Sequence, residues 1–417
     1  MKLTPQQLLP SFSAISPSST LWLAYSGGLD SSCLLHALAE LSHQQLLVNP
    51  IKAIHIHHGL SLNADAWLTH CQQQAHQLQV PLTVIRVDAT PESGESPEAA
   101  ARNARYQAIA EQLSVDDVLL TAHHQDDQAE TLLIQLLRGS GVKGLAAMPS
   151  QAAFAKGLLF RPLLDYSRVE LERYAKQHGL TWVEDESNQS DVFDRNYLRN
   201  QVIPLIQQRW PSSSSTLSRS AKHCAESAML CEELAREDLQ RLALPDVMTL
   251  PVAELLALSL ARQNNLLRYW ISQQQLPLPT SQQLRQVTSH LLIARGDSEP
   301  CVKWPGAELR RFAGKVYLMP PLLPHDPNQV IEWAAEQEVL NLPGLGLVLQ
   351  RSALSHSNTE KMQVRFRQGG ERIQLPGQSH HTSLKKLFQQ RAVPPWQRDR
   401  LPLIYLGQQL IAIYGLV

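Results

Sequence analysis

The stretch "LWLAYSGGLDSSCLL", residues 21–35, joins an apolar run to an amphipathic one through two adjacent glycines. The apolar run predicts a buried strand, and the residues after the glycines have the spacing of a helix. Glycines at such a turn allow unusual backbone angles and let the backbone approach a ligand closely. The N–H groups of the turn and of the helix start then point at an anion. The stretch therefore predicts a phosphate-binding loop.

The side chains of this loop are small and polar. Ser26, Ser31 and Ser32 add hydroxyl donors, and Asp30 places a carboxylate beside the expected phosphates. Such a carboxylate requires a magnesium ion or a cationic group next to it. The alternative is an ordinary strand-to-helix turn in which Asp30 caps the helix, but the complete string SGGLDSS favours the phosphate site. The sequence lacks the GxxxxGK[ST] motif, which disfavours a P-loop kinase.

The chain up to about residue 190 alternates between two periodicities. Short apolar runs predict buried strands at "LWLAY" (21–25), "IKAIHI" (51–56), "LTVIRVD" (82–88) and "DVLLTA" (117–122). Helical patterns such as "SPEAAARNARYQAIAEQL" (96–113) lie between them. Strands that alternate with helices predict an α/β domain, in which helices cover both faces of a parallel, Rossmann-like sheet.

Changes in composition predict three domains. The polar stretch "WPSSSSTLSRS" (210–220) precedes a long helical pattern, and a Pro-rich, acidic stretch (319–339) precedes a basic region with strand-like alternation. We expect an α/β domain over 1–210, a mainly helical middle domain over 211–325 and a small β-rich domain over 345–417. The sequence contains no internal repeat.

Composition limits the class of protein. The 417 residues are 43% hydrophobic, which allows real cores, and neither a signal peptide nor a long apolar run is evident. We therefore expect a cytoplasmic protein with no membrane partner. The five cysteines form no CxxC pair, which favours free thiols over disulfides or a metal cluster. Residues 361–400 hold nine Lys or Arg and two acidic residues, a composition suited to a polyanion.

A cluster of acidic residues follows the fourth predicted strand, in "TAHHQDDQAETLLIQLLRGSGVKG" (121–144). Asp126 and Glu130 are four residues apart and share a helix face, with Asp127 beside them. Either they lie on a solvated face, or they bind a cation: magnesium, an amine or both. The GxGxxG match that begins at Gly139 follows a helix rather than a strand, which is the wrong context for a dinucleotide site.

Two arginines four residues apart occur in "WVEDESNQSDVFDRNYLRNQVIP" (182–204). Arg195 and Arg199 would present two guanidiniums on one helix face, an arrangement suited to binding phosphates. The alternative is an exposed basic helix without a ligand.

The order of these motifs carries a resemblance. The loop SGGLDSS resembles the PP-loop of N-type ATP pyrophosphatases, which cleave ATP between the α and β phosphates. The series SGGLDS, HHGL, EAAARNARY, AHHQDDQAET, RGSGVKGLAAM and EDESN…RNYLRN…IP is similar to that of the tRNA(Ile)-lysidine synthetase (synthase) family. The similarity continues in "WPGAELRR" (304–311) and in the C-terminal residues 364–405, so it covers nearly the whole chain.

The resemblance implies a reaction on the wobble cytidine of the isoleucine tRNA that has a CAU anticodon. ATP adenylates the oxygen at the 2-position of the base, pyrophosphate leaves, and the amine of free L-lysine then displaces AMP to give lysidine. ATP and Mg²⁺ are the implied cofactors, and tRNA and lysine are the implied partners, with no protein partner required. Residues 1–210 would be the catalytic PP-loop domain, and both later domains would bind tRNA.

The resemblance also implies site residues. The expected ATP site comprises Ser26, Gly27, Gly28, Leu29, Asp30, Ser31, His55 and His123. The expected catalytic residues are Asp30, Asp127, Glu130 and Arg195. Asp30 would bind the magnesium ion. One carboxylate among Asp126, Asp127 and Glu130 would take a proton from the attacking amine, and which of them does so stays open.

Three rival functions are weaker. A PP-loop tRNA cytidine thiolase would carry cysteine pairs, and this chain has no CxxC. A small-molecule PP-loop synthetase has no use for the basic region 361–400, where Phe388 and Trp396 would stack on bases. A non-enzymatic RNA-binding protein leaves the SGGLDSS loop and the acidic helix unexplained.

Overall fold

The computed structural model describes residues 3–57, 63–88, 97–242, 246–295, 298–354, 360–375 and 380–416, with Gly59, Thr90, Gly377 and Gln378. It divides into two compact units, residues 1–230 and 231–417. Among the described residues, no helix is long and apolar enough to span a membrane. His58 and Leu60 of the HHGL motif lie outside the described residues.

The first unit is built on a six-stranded sheet with the order β3-β2-β1-β4-β6-β5. Its strands are β1 (Leu21–Ala24), β2 (Ile51–His57), β3 (Leu82–Arg86), β4 (Val118–Leu120), β5 (Gln151–Phe154) and β6 (Gly157–Phe160). All pair in parallel except the edge strand β5, which runs antiparallel to β6. The four strands predicted from the apolar runs are confirmed, and they form the parallel centre of the sheet.

Helices cover both faces of this sheet, as predicted. They are α1 (Pro5–Phe12), α2 (Leu29–His43), α3 (Ala64–Gln77), α4 (Pro97–Gln112), α5 (Gln125–Leu137), α6 (Val142–Leu145), α7 (Arg168–Gln177), α8 (Asp194–Tyr197) and α9 (Ile203–Arg209). Alternate residues of β1 point to opposite faces. Leu21 and Leu23 join a core with α1, α2 and α7, whereas Trp22 joins a second core with Ile109 of α4.

The hairpin of β5 and β6 was not predicted. Its strands are short, and the tight turn between them includes Ala155 at a φ of 50°. A Cβ atom on Gly157 would lie 2.0 Å from the carbonyl oxygen of Asp117, so β6 reaches its place beside β4 only with glycine there. Asp117 itself accepts hydrogen bonds from the backbone of Thr20 and Ser114 and from the Trp22 indole. This acidic residue therefore holds the sheet together.

The second unit begins within a long helix. Its middle region consists of α10 (Ser213–Arg241), α11 (Val252–Ala257), α12 (Leu260–Gln273) and α13 (Ser281–Gln286) with β7 (Thr249–Pro251), β8 (Cys301–Trp304), β9 (Ala307–Phe312) and β10 (Lys315–Met319). The strands form an antiparallel sheet with the order β7-β10-β9-β8, packed on the helices around Trp270. Helix α10 starts inside the serine-rich stretch 210–220, which therefore is largely helical rather than a turn.

The C-terminal region is β-rich, as predicted. It contains β11 (Ile331–Trp333), β12 (Val339–Leu342), β13 (Leu347–Gln350), β14 (Met362–Arg365), β15 (Arg372–Gln374), β16 (His381–Ser383), β17 (Leu403–Leu406) and β18 (Gln409–Ile413), with α14 (Leu384–Gln390) and α15 (Pro395–Arg398). The main sheet has the order β11-β14-β17-β18. Trp333 of β11 is fully buried in its core, so the end of the Pro-rich stretch 319–339 belongs to this sheet.

Candidate active site

The candidate site lies at the carboxyl ends of three neighbouring strands, β2, β1 and β4. The loop Ser26–Gly28 follows β1, His55 lies near the end of β2, and His123 follows β4. In parallel α/β sheets, ligands bind at this edge. The strand order therefore brings together residues that are about 100 positions apart in the sequence.

The loop backbone takes the shape that its glycines permit. Gly27 has a φ of 81°, and a Cβ atom there would lie 2.7 Å from Sγ of Cys71 and 3.1 Å from Cγ2 of Val183. The carbonyl of Gly27 accepts a hydrogen bond from the N–H of Val183 at 2.9 Å. Residue 27 must therefore be glycine on two grounds, dihedral angle and space.

The start of α2 carries few side chains that would compete with an anion. Gly28 is the N-cap residue of α2 and has no side chain. The Ser26 and Ser31 hydroxyls lie 3.1 Å apart, and Ser31 also donates to the carbonyl of Gly28. The alternative role of Asp30 as N-cap is wrong, because Gly28 occupies that position and Asp30 lies in the first turn. Leu29 is buried behind the loop.

Asp30 has one carboxylate oxygen without a partner. Oδ1 is buried and accepts no hydrogen bond from the described residues. Oδ2 lies 3.6 Å from Nε2 of His124 and 3.8 Å from Nη1 of Arg168. Burial raises the pKa of Asp30, although His124 and Arg168 oppose that shift. A buried, unpartnered carboxylate oxygen beside an anion-binding loop fits a hard cation such as Mg²⁺, which uses one or two protein carboxylates together with substrate phosphates.

His124 lies at the centre of three carboxylates. Its Nε2 is 3.5 Å from Oδ2 of Asp127, and its Nδ1 is 3.6 Å from Oδ2 of Asp126. Burial favours the neutral ring, but Asp127, Asp126 and Asp30 together raise the pKa of His124 to about 9. When the His124 ring is neutral, its Nδ1 accepts a hydrogen bond from the N–H of Asp126 at 3.2 Å. When the ring is a cation, the proton on Nδ1 faces the carboxylate of Asp126. The raised pKa favours the cation near neutral pH.

The acidic helix α5 binds a cation that the chain itself supplies. Arg199 donates from Nε to Oε1 of Glu130 at 2.6 Å, and from Nη2 to Oε2 of Glu130 and Oδ1 of Asp127, both at 2.9 Å. Asp127 and Glu130 are both buried, so a solvated face does not describe them. Asp126 instead accepts from the N–H of Arg168 at 2.8 Å. The pair that shares a partner is therefore Asp127 with Glu130, not Asp126 with Glu130.

Arg195 joins the same cluster. Its Nη2 donates to Oγ1 of Thr131 at 2.9 Å, and its Nε lies 3.5 Å from Oε2 of Glu130. Arg195 is in α8, whereas Arg199 is in a π-helical segment, Leu198–Val202. Both guanidiniums nevertheless reach Glu130, a contact that the sequence did not predict, and their role in binding phosphates stays a prediction. π-Helical turns often occur at functional sites.

The two expected ATP-site histidines differ in their contacts. His55 is buried, and its Nδ1 donates to the carbonyl of Tyr25 at 2.9 Å, immediately before the loop. His123 is half-buried, and its Nδ1 lies 2.9 Å from Oγ1 of Thr121. Burial lowers the pKa of His123 to about 4, so its ring is neutral. The carboxylates around its neighbour His124 instead raise the pKa of that residue.

Two residues of the cluster were not predicted as site residues. His124 was noted in the sequence only as the neighbour of His123, and Arg168 was not considered. Arg168 follows β6 and Ser167, which caps α7 through a capping box with Glu170. The string "SRVE" (167–170) is a recognisable helix start, but nothing in it indicates that the helix begins next to Asp30.

The basic C-terminal region presents exposed cations on α14 and after it. Lys385, Lys386 and Arg391 are exposed, and their side chains make no hydrogen bond or ion pair with any residue that the structure describes. Leu384, Leu387 and Phe388 form the buried side of the same helix. The expectation that Phe388 stacks on bases is wrong, because its ring is fully buried in the core of the domain.

The cysteines do not form a cluster. All five are free, and burial raises the pKa of Cys33 and of Cys71 to about 12. Within the described part of the chain, no group of three or more His, Cys, Asp or Glu residues is arranged to hold a metal ion by itself. A magnesium site at Asp30 would therefore need ligands from a bound substrate.

Among solved structures, the chain is similar to the U34-tRNA thiolase NcsA from Methanococcus maripaludis, with 15% identity, a TM-score of 0.45, and coverage of 53% of this chain and 78% of that one. Among family models, residues 2–206 match a PP-loop domain, residues 250–317 a TilS substrate binding domain, and residues 362–417 a TilS substrate C-terminal domain.

Curated relatives match over almost their whole length. The tRNA(Ile)-lysidine synthase of Coxiella burnetii is 43% identical, over 99% of this chain and 92% of that protein. The synthase of Serratia proteamaculans is 43% identical over 95% and 91%, and that of Escherichia coli O157:H7 is 42% identical over 95% and 92%. At this identity and coverage, the chain belongs to the tRNA(Ile)-lysidine synthase family.

Proposed function

We propose that this protein ligates free L-lysine to the 2-position of the wobble cytidine of the isoleucine tRNA with a CAU anticodon, in an ATP-dependent reaction. ATP adenylates the base oxygen and pyrophosphate leaves; the lysine ε-amine then displaces AMP. The observation that carries the proposal is the unpartnered Oδ1 of Asp30, buried beside the glycine turn of the loop. That arrangement suits a metal–pyrophosphate ion.

The loop would hold the phosphates of ATP. The N–H groups at the start of α2 and the hydroxyls of Ser26 and Ser31 would bind the oxygens on which negative charge develops as pyrophosphate leaves. Asp30 would hold Mg²⁺, which supplies charge neutralisation of the phosphates when bound. Neutral His123 and buried His55 border the same edge of the sheet, where they would contact the nucleotide.

The buried carboxylates of α5 would serve the lysine amine. The amine is mostly cationic at neutral pH and must lose a proton before it attacks. Burial raises the pKa of Glu130 in spite of its bonds from Arg199, whereas His124 and Arg199 overcome burial and lower the pKa of Asp127. Both carboxylates stay candidates for the general base. Arg195 and Arg199 would orient Glu130 and meet phosphate groups.

The remaining domains would bind the tRNA. We keep the boundaries at 1–210 for catalysis and at 211–325 for tRNA binding, and the C-terminal tRNA-binding domain, predicted over 345–417, would begin earlier so that it includes β11 and β12. The exposed, unpaired Lys385, Lys386 and Arg391 support this assignment for the last domain, since such cations contact phosphates. The catalytic cluster lies entirely before residue 200, so chemistry and most of the tRNA contact would be carried by different parts of the chain.

The direct test is to incubate the protein with unfractionated tRNA, ATP, Mg²⁺ and labelled lysine, and then to digest the tRNA to nucleosides. We expect label in a modified cytidine, together with stoichiometric AMP and pyrophosphate. A parallel incubation with a labelled sulfur donor tests the thiolase alternative, which the two buried thiols Cys33 and Cys71 do not favour. Absence of lysine label in any nucleoside, with a folded enzyme and intact tRNA, would refute the proposal.

A further inference from the structure

Trp396 of α15 packs against the middle sheet of the second unit. Its indole ring meets Phe312, the last residue of β9, at a centroid distance of 6.1 Å, and Tyr317 of β10 at 5.3 Å. Both contacts are edge-to-face, with interplanar angles of 81° and 75°. Such pairs stabilise beyond their buried area. The indole Nε1 is buried and has no hydrogen-bond partner among the described residues, so the ring is held by packing rather than by polar contacts.

Two arginines make cation–π contacts between these two regions, one from each region. Arg310 of the middle sheet lies 5.3 Å from the Trp396 ring, and Arg398 of α15 lies 5.8 Å from the Phe312 ring. The guanidinium of Arg310 is held in place by Glu308, which is fully buried and accepts a hydrogen bond from Nε of Arg310 at 2.8 Å. Cation–π contacts of this kind strengthen when they are partly desolvated. The two aromatic rings are thus each covered by a cation from the opposite side.

The segment that connects the two regions is attached to the same place. His325 donates from Nε2 to the carbonyl of Asp399 at 2.9 Å, and its ring meets Phe366 at 4.4 Å. Arg400 donates to the carbonyl of Leu323 at 2.9 Å. The connecting segment 320–330 therefore runs along the residues that directly follow α15. We use the name clamp for Trp396, Phe312, Tyr317, Arg310 and Arg398. The clamp forms the contact between α15 and the middle sheet.

We propose that Trp396 is a positioning residue that clamps the middle sheet and the C-terminal sheet into one rigid body, so that both engage a single tRNA at a fixed spacing. The tRNA part rests on the proposed function, and the rigid-body part does not. Two binding surfaces held at the spacing that their ligand needs bind it more tightly than the same surfaces on a mobile linker, because the mobile pair must lose its freedom on binding. This role replaces the base stacking that was expected for Trp396, since the ring is already packed between protein groups.

The test compares Trp396→Ala and Phe312→Ala with Trp396→Phe. Either alanine variant should open the connecting segment to chymotrypsin at Leu322–Leu323 and enlarge the radius of gyration in small-angle X-ray scattering. Each should raise the KM for tRNA by about fivefold to tenfold, with kcat and the KM for ATP within about twofold of wild type. Trp396→Phe keeps a six-membered aromatic ring and loses the fused five-membered ring with its unpaired N–H, so it should lie closer to wild type than either alanine variant. Tyr269→Ala, a half-buried aromatic beside Arg236, is the control.

The outcomes separate the two parts of the proposal. Unchanged proteolysis and scattering in both folded alanine variants would overturn the clamp, whatever the activity. Faster cleavage of the connecting segment with an unchanged KM for tRNA would overturn the link between rigidity and tRNA binding. If the wild-type protein incorporates no lysine, the proposed function fails, and proteolysis and scattering still decide the clamp. The effects of Trp396→Ala and Phe312→Ala should be less than additive in the combined variant, because the two changes share the Trp396–Phe312 contact.

Discussion

Arg199 and Glu130 form a bidentate ion pair in which the carboxylate is 1% exposed and the shorter N···O distance is 2.6 Å. The pair joins the acidic helix to the π-helical segment, so two of the motifs noted in the sequence meet at one buried carboxylate. A buried charge of this kind is costly to leave without its partner. Any change at Glu130 therefore tests structure and chemistry together.

We expect Glu130→Gln to impair the use of lysine more than the adenylation of tRNA. The amide keeps the shape and cannot accept a proton from the amine, and loss of the charge should cost about 1–3 kcal/mol of folding free energy. Adenylated tRNA and lysidine are measured separately in single-turnover reactions. Glu172→Gln, a half-exposed carboxylate beside Arg168, is the control and should leave both steps intact. Equal loss of both half-reactions would contradict the prediction and favour a role in metal binding.

Asp30→Ala should abolish ATP-dependent modification and leave the fold intact. The partners of Asp30 within the protein are at 3.6 and 3.8 Å, beyond hydrogen-bond distance, so its loss should change the folding free energy by about 1 kcal/mol at most. Asp117→Ala offers the opposite pattern, because that carboxylate accepts three hydrogen bonds within the sheet. The Asp117→Ala change should lower the free energy of unfolding by about 2–4 kcal/mol. Pyrophosphate release and urea unfolding are measured for both; near-normal release by folded Asp30→Ala would defeat the prediction.

Gly27→Ala should destabilise the protein and weaken ATP binding more than Gly139→Ala does. Both glycines have a positive φ, but a Cβ atom at Gly139 meets nothing within 4 Å, whereas at Gly27 it meets Cys71. We expect the free energy of unfolding to fall by about 1 kcal/mol for Gly139→Ala and by about 2–4 kcal/mol for Gly27→Ala. Adding Cys71→Ala to Gly27→Ala should recover part of the loss. Denaturant unfolding gives the energies, and equal costs at the two glycines would rule out the steric explanation.

Neutralising Lys385, Lys386 and Arg391 together as glutamines should weaken tRNA binding and flatten its salt dependence. Each phosphate contact that is lost removes about one unit from the slope of log K against log salt. Chemistry at saturating tRNA should survive, because the proposed catalytic residues lie before residue 200. The charge-matched triple Lys156, Arg173 and Lys176 to glutamine, all exposed in the first unit, is the control. An unchanged slope for the C-terminal triple would refute its role as a tRNA contact.

Local sequence pattern was enough for the parallel centre of the first sheet and for the phosphate loop. Strands β1, β2 and β4 bury their apolar runs, whereas the edge strand β3 is only half-buried, and the glycine pair leaves little choice of turn between Ala24 and Leu29. The hairpin of β5 and β6 was not predicted, because its position depends on how Gly157 fits against Asp117, which lies 40 residues away in the chain. Composition likewise indicated the basic character of α14, but not which of its side chains are buried.

The candidate site was predictable by residue type and less so by pairing. Helical spacing pointed to Asp126 with Glu130, yet Asp126 is taken by the backbone of Arg168, and Asp127 turns towards Arg199 instead. The roles of His124 and Arg168 depend on where α7 begins relative to Asp30, which is a tertiary relation. Burial of Phe388 similarly depends on which face of α14 meets the C-terminal core.

The π-helical segment Leu198–Val202 makes this part of the chain sensitive to length. A π turn accommodates about one residue more than an α turn. Deleting one residue within the segment would restore an ordinary α turn, whereas deleting one between Arg195 and the segment would rotate the two arginines apart by about 100°. Arg195 and Arg199 would then no longer converge on Glu130. Substitutions within the segment are therefore easier to accommodate than insertions or deletions, even where every side chain around the gap is kept.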